Sequence, residues 1–229
     1  LDIEDLSICL IKMGAKIEGH GTKSIFVQGV TNLKKTEHEI ISDRIVAGTY
    51  IIAALMLNST LEINNFNTIY LKSLIDILKK MGAKLKVSKN SIKVSKGSKL
   101  KSTSLSTSPY PGFPTDLQAQ LMSLMCISDG KSKIKETIFE NRFMHVPELN
   151  RLGANITVEK DTATIIGNQT FKGAQVMASD LRASISLVLA AMNANGQTTL
   201  NRVYHLDRGY ENIEKTLGSL GAKIKRQKN

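Results

Sequence analysis

A phrase built around one glycine returns four times along this chain of 229 residues. It reads LIKMGAKI at 10–17, LKKMGAKL at 78–85, LNRLGANI at 149–156 and LGSLGAKI at 217–224. The glycines lie 68, 71 and 68 residues apart, and so regular a spacing is typical of a repeated supersecondary unit. Each copy predicts a helix that ends at a glycine in the left-handed conformation. The alternating run that follows, as in AKIEGHGTKSIFVQGV, predicts a β-hairpin.

A second phrase recurs about half a period away from the first. It reads DRIVAGTYIIAALM at 43–56, DLQAQLMSLMCI at 116–127 and DLRASISLVLAAM at 180–192. Each copy places an aspartate where a helix would begin, continues with apolar residues and is followed by a polar turn and a strand. The unit is therefore hairpin, helix, strand, helix. Three units fit between 43 and 224, and residues 1–30 are similar to the end of a fourth.

Composition and charge narrow the class of protein. The apolar runs are too short to span a bilayer, no secretory leader opens the chain, and both cysteines fall within apolar helical phrases. These features predict a soluble cytoplasmic protein. The net charge of +11 raises the possibility of RNA binding, but the lysines are scattered and no aromatic stacking pattern accompanies them. A basic cleft for small phosphorylated substrates would use this charge more specifically.

The segment YPGFPTDLQAQ at 110–120 is the first candidate site. Two prolines and a glycine predict a stiff, irregular loop that delivers Asp116 to the start of a helix. Asp116 is then either a helix cap or a functional carboxylate, because rigid loops of this kind often carry positioned functional groups.

A second candidate segment is ENRFMHVPEL at 140–149, between a strand predicted to end at Phe139 and the helix that ends at Gly153. Arg142 is the candidate here. His145 is interpreted as a hydrogen-bonded packing residue, because nothing near it in sequence completes a catalytic relay.

Charged residues also mark two further helix starts, at Asp180-Leu-Arg182 and at Asp207-Arg208. They are either caps with solvated charges or parts of an anion site, since helix N-termini and arginines both suit phosphate and carboxylate. If the repeats place corresponding ends side by side, Asp116, Arg142, Arg182 and Arg208 converge. Such a group suits an acidic substrate and a general base.

Four longer segments, YPGFPTDLQAQ, ETIFENRFMHVPEL, GAQVMASDLRAS and YHLDRGYENIEKTLGSLGAKI, resemble consecutive signature segments of the UDP-N-acetylglucosamine (UDP-GlcNAc) enolpyruvyl transferases. The resemblance implies a mixed α/β (α+β) fold of the inside-out barrel type. That fold has two domains of three repeats, with helices inside, sheets outside and the active site between the domains. Residues 1–41 would then be the tail of the partner domain, and residues 42–229 the three-repeat domain, without the strands that an N-terminal segment adds.

The resemblance also implies a reaction. The 3-hydroxyl of UDP-GlcNAc adds to phosphoenolpyruvate and phosphate leaves, without a cofactor or metal, as the first committed step of peptidoglycan synthesis. Asp116 matches the base that contacts the sugar, Asp180 a carboxylate beside the reacting carbons, and Ile138 a residue of the nucleotide-sugar site. The family's anion-binding arginines match Arg142, Arg182 and Arg208.

The family pattern is incomplete in this chain. A lysine–asparagine pair and a loop with a cysteine proton donor have no counterpart, and neither Cys9 nor Cys126 falls in that loop's context. We therefore expect the C-terminal part of such an enzyme, inactive alone and completed by the missing N-terminal domain, with no nucleic-acid or membrane partner. The alternatives are an inactive remnant and the sister enzyme that acts on shikimate 3-phosphate.

Overall fold

The helices and strands follow the repeat. A computed structural model describes residues 1–97 and 99–227. The α-helices of this part are α1 Asp2–Lys12, α2 Arg44–Met56, α3 Lys72–Lys80, α4 Gln118–Ile127, α5 Val146–Arg151, α6 Leu181–Asn193 and α7 Ile213–Ser219. Short 3₁₀ helices span Thr68–Leu71, Thr115–Leu117 and Val203–Arg208.

The strands are short, from two to five residues each. They are β1 Lys16–Glu18, β2 Phe26–Gln28, β3 Leu61–Asn64, β4 Leu85–Val87, β5 Ser91–Val94, β6 Leu105–Ser106, β7 Lys131–Lys135, β8 Asn155–Glu159, β9 Thr162–Ile166, β10 Gln175–Met177 and β11 Thr199–Asn201. Among the described residues they form four sheets, β1-β2, β3-β5-β4, β6-β7-β9-β8 and β10-β11.

The three copies of the second phrase form the centre of the molecule. Helices α2 and α6 begin directly after the predicted aspartates, α4 begins two residues after Asp116, and the three helices pack against one another. Every residue of α4 from Gln118 to Cys126 is buried, as expected for a helix surrounded by other elements. Ser123 of α4 donates a hydrogen bond to the carbonyl of Ser186 on α6 at 3.1 Å. The described helices all fall short of the length and apolar character that a bilayer span needs.

Each central helix of the last two units connects two parallel strands. Strand β6 pairs in parallel with β7, and β10 with β11, while β4–β5 and β8–β9 are antiparallel hairpins. The predicted order of helix, strand, helix and hairpin is confirmed. The sequence did not predict β6 and β10, which span only two and three residues. None of the four sheets closes on itself, so the inside-out barrel stays a prediction.

The recurring glycine ends a helix in all four copies, as predicted. Its φ is +102° at Gly14, +98° at Gly82, +102° at Gly153 and +98° at Gly221. In each copy the glycine amide donates a hydrogen bond to the carbonyl three residues before it, at 2.9 or 3.0 Å. The amide of the alanine that follows donates to the carbonyl five residues before that alanine, also at 2.9 or 3.0 Å. This is the Schellman arrangement, which satisfies carbonyls left over at the helix end.

The first 41 residues lie outside the main core. Helix α1 and the hairpin β1–β2 contact each other, and the imidazole of His38 lies 3.0 Å from a carboxylate oxygen of Asp5. Ser7 is the only buried residue of this segment, whereas Phe26 and Ile40 are 67% and 77% exposed. The buried core begins at Ile45.

Replacing one cap glycine tests the role of the repeated phrase. We expect Gly153→Ala to lower the free energy of unfolding by about 1–2 kcal/mol, because alanine is strained at positive φ. Its Cβ would also lie 3.1 Å from the carbonyl oxygen of Thr170. Gly218→Ala, inside α7 with open space around it, is the control and should stabilise by about 0.5–1 kcal/mol. Urea unfolding measures both, and a Gly153→Ala variant as stable as the native chain would contradict the account.

Candidate active site

The carboxylate of Asp116 joins two arginines from distant parts of the chain. Its Oδ1 accepts a hydrogen bond from Nη2 of Arg142 and another from Nε of Arg182, both at 3.0 Å. The three side chains are 39%, 25% and 21% exposed, so the cluster opens to solvent on one side. Asp116 Oδ2 has no hydrogen-bond partner within the described ranges. The group thus combines one free carboxylate oxygen with two cations.

Asp116 departs from the other two aspartates of its repeat. Asp43 accepts hydrogen bonds from backbone amides of α2, and Asp180 from the amides of Arg182 and Ala183 at 2.8 and 2.9 Å. Asp116 instead lies in the 3₁₀ helix Thr115–Leu117, which leads directly into α4, and the start of α4 has no side-chain cap. The capping interpretation is therefore wrong for Asp116 and right for Asp180.

The loop before Asp116 is held from both ends. Phe113 is buried, and its carbonyl accepts a hydrogen bond from the amide of Ser108 at 2.9 Å. The guanidinium of Arg44, at the start of α2, lies over the ring of Tyr110 at 5.4 Å from its centroid. These contacts fix the stiff loop that the prolines predicted.

A buried hydrogen-bond chain holds the backbone at Asp116. Gln120 Nε2 donates to the carbonyl of Asp116 at 2.9 Å and lies 3.3 Å from the hydroxyl of Thr49 on α2. That hydroxyl lies 2.8 Å from the phenol oxygen of Tyr210. Burial raises the pKa of Tyr210, so its hydroxyl stays protonated and can donate. Three parts of the chain thereby meet behind the carboxylate, and the sequence reasoning missed these supporting residues.

The segment that carries Arg142 is a turn rather than the end of a strand. Strand β7 ends at Lys135, so the strand predicted to reach Phe139 is four residues shorter. Ile138 is half-buried, and its amide donates to Oε1 of Glu136 at 2.9 Å. The guanidinium of Arg142 lies 5.3 Å from the ring centroid of Phe139. The early end of β7 lets the chain turn back toward Asp116.

His145 is almost fully buried, in agreement with the packing interpretation. Burial is the main cause that lowers the pKa of His145 to about 4. The charge of Asp180 opposes this shift, and the charge of Arg142 adds to it. The imidazole is therefore neutral at pH 7. Its Nε2 has no hydrogen-bond partner in the described part of the chain.

Of the four residues predicted to converge, Arg208 is the one that does not contact Asp116. It ends the 3₁₀ helix Val203–Arg208, is exposed, and has no ion-pair partner among the described residues. The next residue, Gly209, packs against the side chain of Leu181, where a Cβ would lie 2.9 Å from Cδ2. Arg208 is therefore near the same end of α6 as Arg182. Its neighbour Asp207 pairs instead with Arg226 at 2.6 Å.

The cysteines do not contribute to this cluster. Cys126 is fully buried in α4, and burial raises the pKa of its thiol to about 12. Cys9 is half-buried on α1. Among the described residues, no three His, Cys, Asp or Glu side chains are grouped so that they could hold a metal ion.

The buried imidazole gives a pH signature for this region. The folded-state pKa of His145 lies below its usual value of 6.5, so the unfolded chain takes up this proton first as the pH falls. Stability is therefore lost between about pH 6.5 and pH 4. We expect the native chain to lose about 2–3 kcal/mol more than His145→Gln between about pH 7 and pH 4.5, measured by urea unfolding. An equal loss in both proteins would show that His145 is not a buried neutral imidazole.

Curated relatives match nearly all of this chain. It is 51% identical over 225 residues to the UDP-N-acetylglucosamine 1-carboxyvinyltransferase of Pelagibacter ubique, a match covering 98% of the chain and 54% of that relative. The enzyme of that name from Azorhizobium caulinodans is also 51% identical, over 226 residues, with 98% and 53% covered. The chain thus spans about half the length of these relatives.

Solved structures share the fold. The enolpyruvyl transferase NikO from Streptomyces tendae is 29% identical and superposes with a TM-score of 0.87, over 96% of this chain and 53% of NikO. EPSP synthase from Acinetobacter baumannii is 18% identical with a TM-score of 0.74, and the match covers 97% of this chain and 55% of that enzyme. This likeness concerns the fold alone. The family model EPSP synthase (3-phosphoshikimate 1-carboxyvinyltransferase) matches residues 1–217. Because that match covers most of the chain, this protein belongs to the EPSP synthase family of carboxyvinyltransferases.

Proposed function

We propose that this chain is the C-terminal part of an enzyme that transfers the enolpyruvyl group of phosphoenolpyruvate to the 3-hydroxyl of UDP-GlcNAc. The observation that carries the proposal is the Asp116 carboxylate, bound through one oxygen to Arg142 and Arg182 and free at the other. The 51% identity to carboxyvinyltransferases of that name supports the choice of substrate.

Asp116 acts as the general base in this proposal. Its free Oδ2 takes the proton of the sugar 3-hydroxyl while the hydroxyl oxygen bonds to C2 of phosphoenolpyruvate, and C3 receives a proton from an acid of the missing domain. The tetrahedral adduct then loses a proton from C3 and expels phosphate, so the double bond re-forms. The two arginines, bound to Oδ1, hold the carboxylate of Asp116 in one orientation.

The cations bind the acidic parts of the substrates. Arg142, Arg182 and Arg208 hold the phosphate and carboxylate of phosphoenolpyruvate, since guanidinium groups form paired hydrogen bonds with both anions. Arg208 is exposed and without an ion-pair partner among the described residues, so it is available for an anion. Asp180, at the start of α6, lies beside the reacting carbons. Ile138 contributes an apolar contact to the nucleotide sugar.

A second domain completes the site. We assign residues 1–41 to the end of that N-terminal domain and residues 42–229 to a three-repeat domain of the inside-out barrel. The exposed apolar side chains of 1–41 support this division, as does the roughly twofold length of the relatives. The chain alone is then inactive, because the acid and half of the phosphate contacts are missing.

The proposed reaction takes place in the cytoplasm and supplies the first committed precursor of peptidoglycan. Both substrates carry several negative charges and cannot cross a bilayer unaided. No cofactor takes part, and neither nucleic acid nor a membrane is a partner.

Phosphate release tests the proposal. We expect no phosphate from phosphoenolpyruvate and UDP-GlcNAc with the chain alone, and release when the N-terminal half of the Pelagibacter ubique relative is added. In that mixture Asp116→Asn should lower the rate by at least about 10²-fold, because the general base is removed. Asp76→Asn, an exposed carboxylate paired with Lys72 on α3, is the matched control and should retain the rate.

Each alternative predicts a different result, two of them in the phosphate-release assay and one in an RNA-binding assay. Release with shikimate 3-phosphate but not with UDP-GlcNAc would favour the sister reaction. No release with either acceptor, UDP-GlcNAc or shikimate 3-phosphate, from a folded chain mixed with the N-terminal half would favour an inactive remnant. Tight RNA binding that weakens steeply with salt would favour the basic RNA-binding module.

A further inference from the structure

Glu136 is a buried carboxylate outside the cluster. It follows β7, whose side chains alternate between solvent and core, so that Ser132, Ile134 and Glu136 all face inward. Glu136 is only 4% exposed. A buried charge is costly unless hydrogen bonds replace the water that it loses. Its surroundings must therefore supply strong donors.

Four neutral donors satisfy this carboxylate. Oε1 accepts hydrogen bonds from the hydroxyl of Thr107 at 2.8 Å and from the amides of Ile138 and Phe139 at 2.9 and 3.3 Å. Oε2 accepts a hydrogen bond from the hydroxyl of Thr115 at 2.9 Å. Within the described ranges no Lys or Arg forms an ion pair with it. Glu136 is thus held entirely by groups from the loops that surround it.

These donors belong to the two segments that form the site. Thr115 directly precedes Asp116, and Ile138 and Phe139 lead to Arg142. One carboxylate therefore bridges the loop that carries the base and the turn that carries an arginine. The separation in sequence between Thr115 and Glu136 is 21 residues, so this is a tertiary tie and not a local turn.

We propose that Glu136 is a positioning residue that holds Asp116 and the Ile138–Arg142 turn in register for the nucleotide sugar. The inference rests on the proposed function. Glu136 touches no reacting group, and it acts by fixing Thr115 through one oxygen and the turn through the other. The contact of 3.0 Å between Asp116 and Arg142 depends on both segments being fixed.

The fold alone does not require a carboxylate at this position. Five residues of β7 already pair with β9, and β6 pairs on the other side. Ile134 shows that an apolar side chain fills the preceding inward position of this strand. Burying a carboxylate without a cation costs more free energy than burying an apolar side chain at the same position. The ordering of the two loops explains why a carboxylate stands there.

Four single variants separate positioning from packing. Glu136→Ala removes both ties, and Thr115→Val removes only the tie to the Asp116 loop while keeping the side-chain shape. Glu136→Gln keeps Oε1, and its amide can donate to the hydroxyl of Thr115. Ser132→Ala is the control, because Ser132 on β7 is as buried as Glu136. Its hydroxyl accepts a hydrogen bond from the amide of Thr103, away from the cluster.

The first readout is binding of UDP-GlcNAc to the chain, followed by NMR titration. We expect Glu136→Ala to weaken binding about tenfold or more, Thr115→Val to weaken it about three- to tenfold, and Glu136→Gln and Ser132→Ala to stay within about threefold. Native affinity in Glu136→Ala, or an equal loss in Ser132→Ala, would overturn the proposal.

The second readout is amide hydrogen exchange in the free chain, which does not depend on the substrate. Glu136→Ala should speed exchange in both 115–117 and 138–142, and Glu136→Gln should restore slow exchange. Faster exchange in only one segment would overturn the bridging role. If the native chain binds UDP-GlcNAc neither alone nor with the N-terminal half of the Pelagibacter ubique relative added, the proposed function fails for this chain. The exchange result still decides whether Glu136 ties the two segments.

Discussion

The contact of the Asp116 carboxylate with Arg142 and Arg182 is the interaction on which the rest of the site depends. The two arginines come from different repeat units, so the contact can form only when α4, the turn after β7 and the start of α6 are all in place. It also uses one carboxylate oxygen and leaves the other free. A carboxylate that capped its own helix would instead be oriented and occupied by hydrogen bonds from the backbone amides.

The interior of the molecule is arranged to hold that contact. The central helices α2, α4 and α6 are packed against one another, and a hydrogen-bond chain from Tyr210 through Thr49 and Gln120 reaches the carbonyl of Asp116. Glu136 binds the same loop from the other side through Thr115. Asp116 is therefore supported at its backbone and at its neighbour, while its side chain remains partly open to solvent.

Local rules predicted the repeat well, because a helix end at glycine and an apolar helix are properties of short segments. The four Schellman ends and the starts of α2 and α6 follow directly from the two phrases. The choice between cap and functional carboxylate at Asp116 could not be made locally, since it depends on two arginines that are 26 and 66 residues away. Glu136 was missed although the alternation along β7 marks it as an inward-facing charge. The placement of Arg208 likewise depends on how Gly209 packs against Leu181.

The most direct test of the central claim is a crystal structure of the chain, joined by the N-terminal half of a relative, with UDP-GlcNAc bound. The account predicts that the sugar 3-hydroxyl oxygen lies about 3 Å from Oδ2 of Asp116, with Oδ1 still bound to Arg142 and Arg182. A sugar whose 3-hydroxyl faces another group, or an Asp116 side chain turned to cap α4, would contradict it.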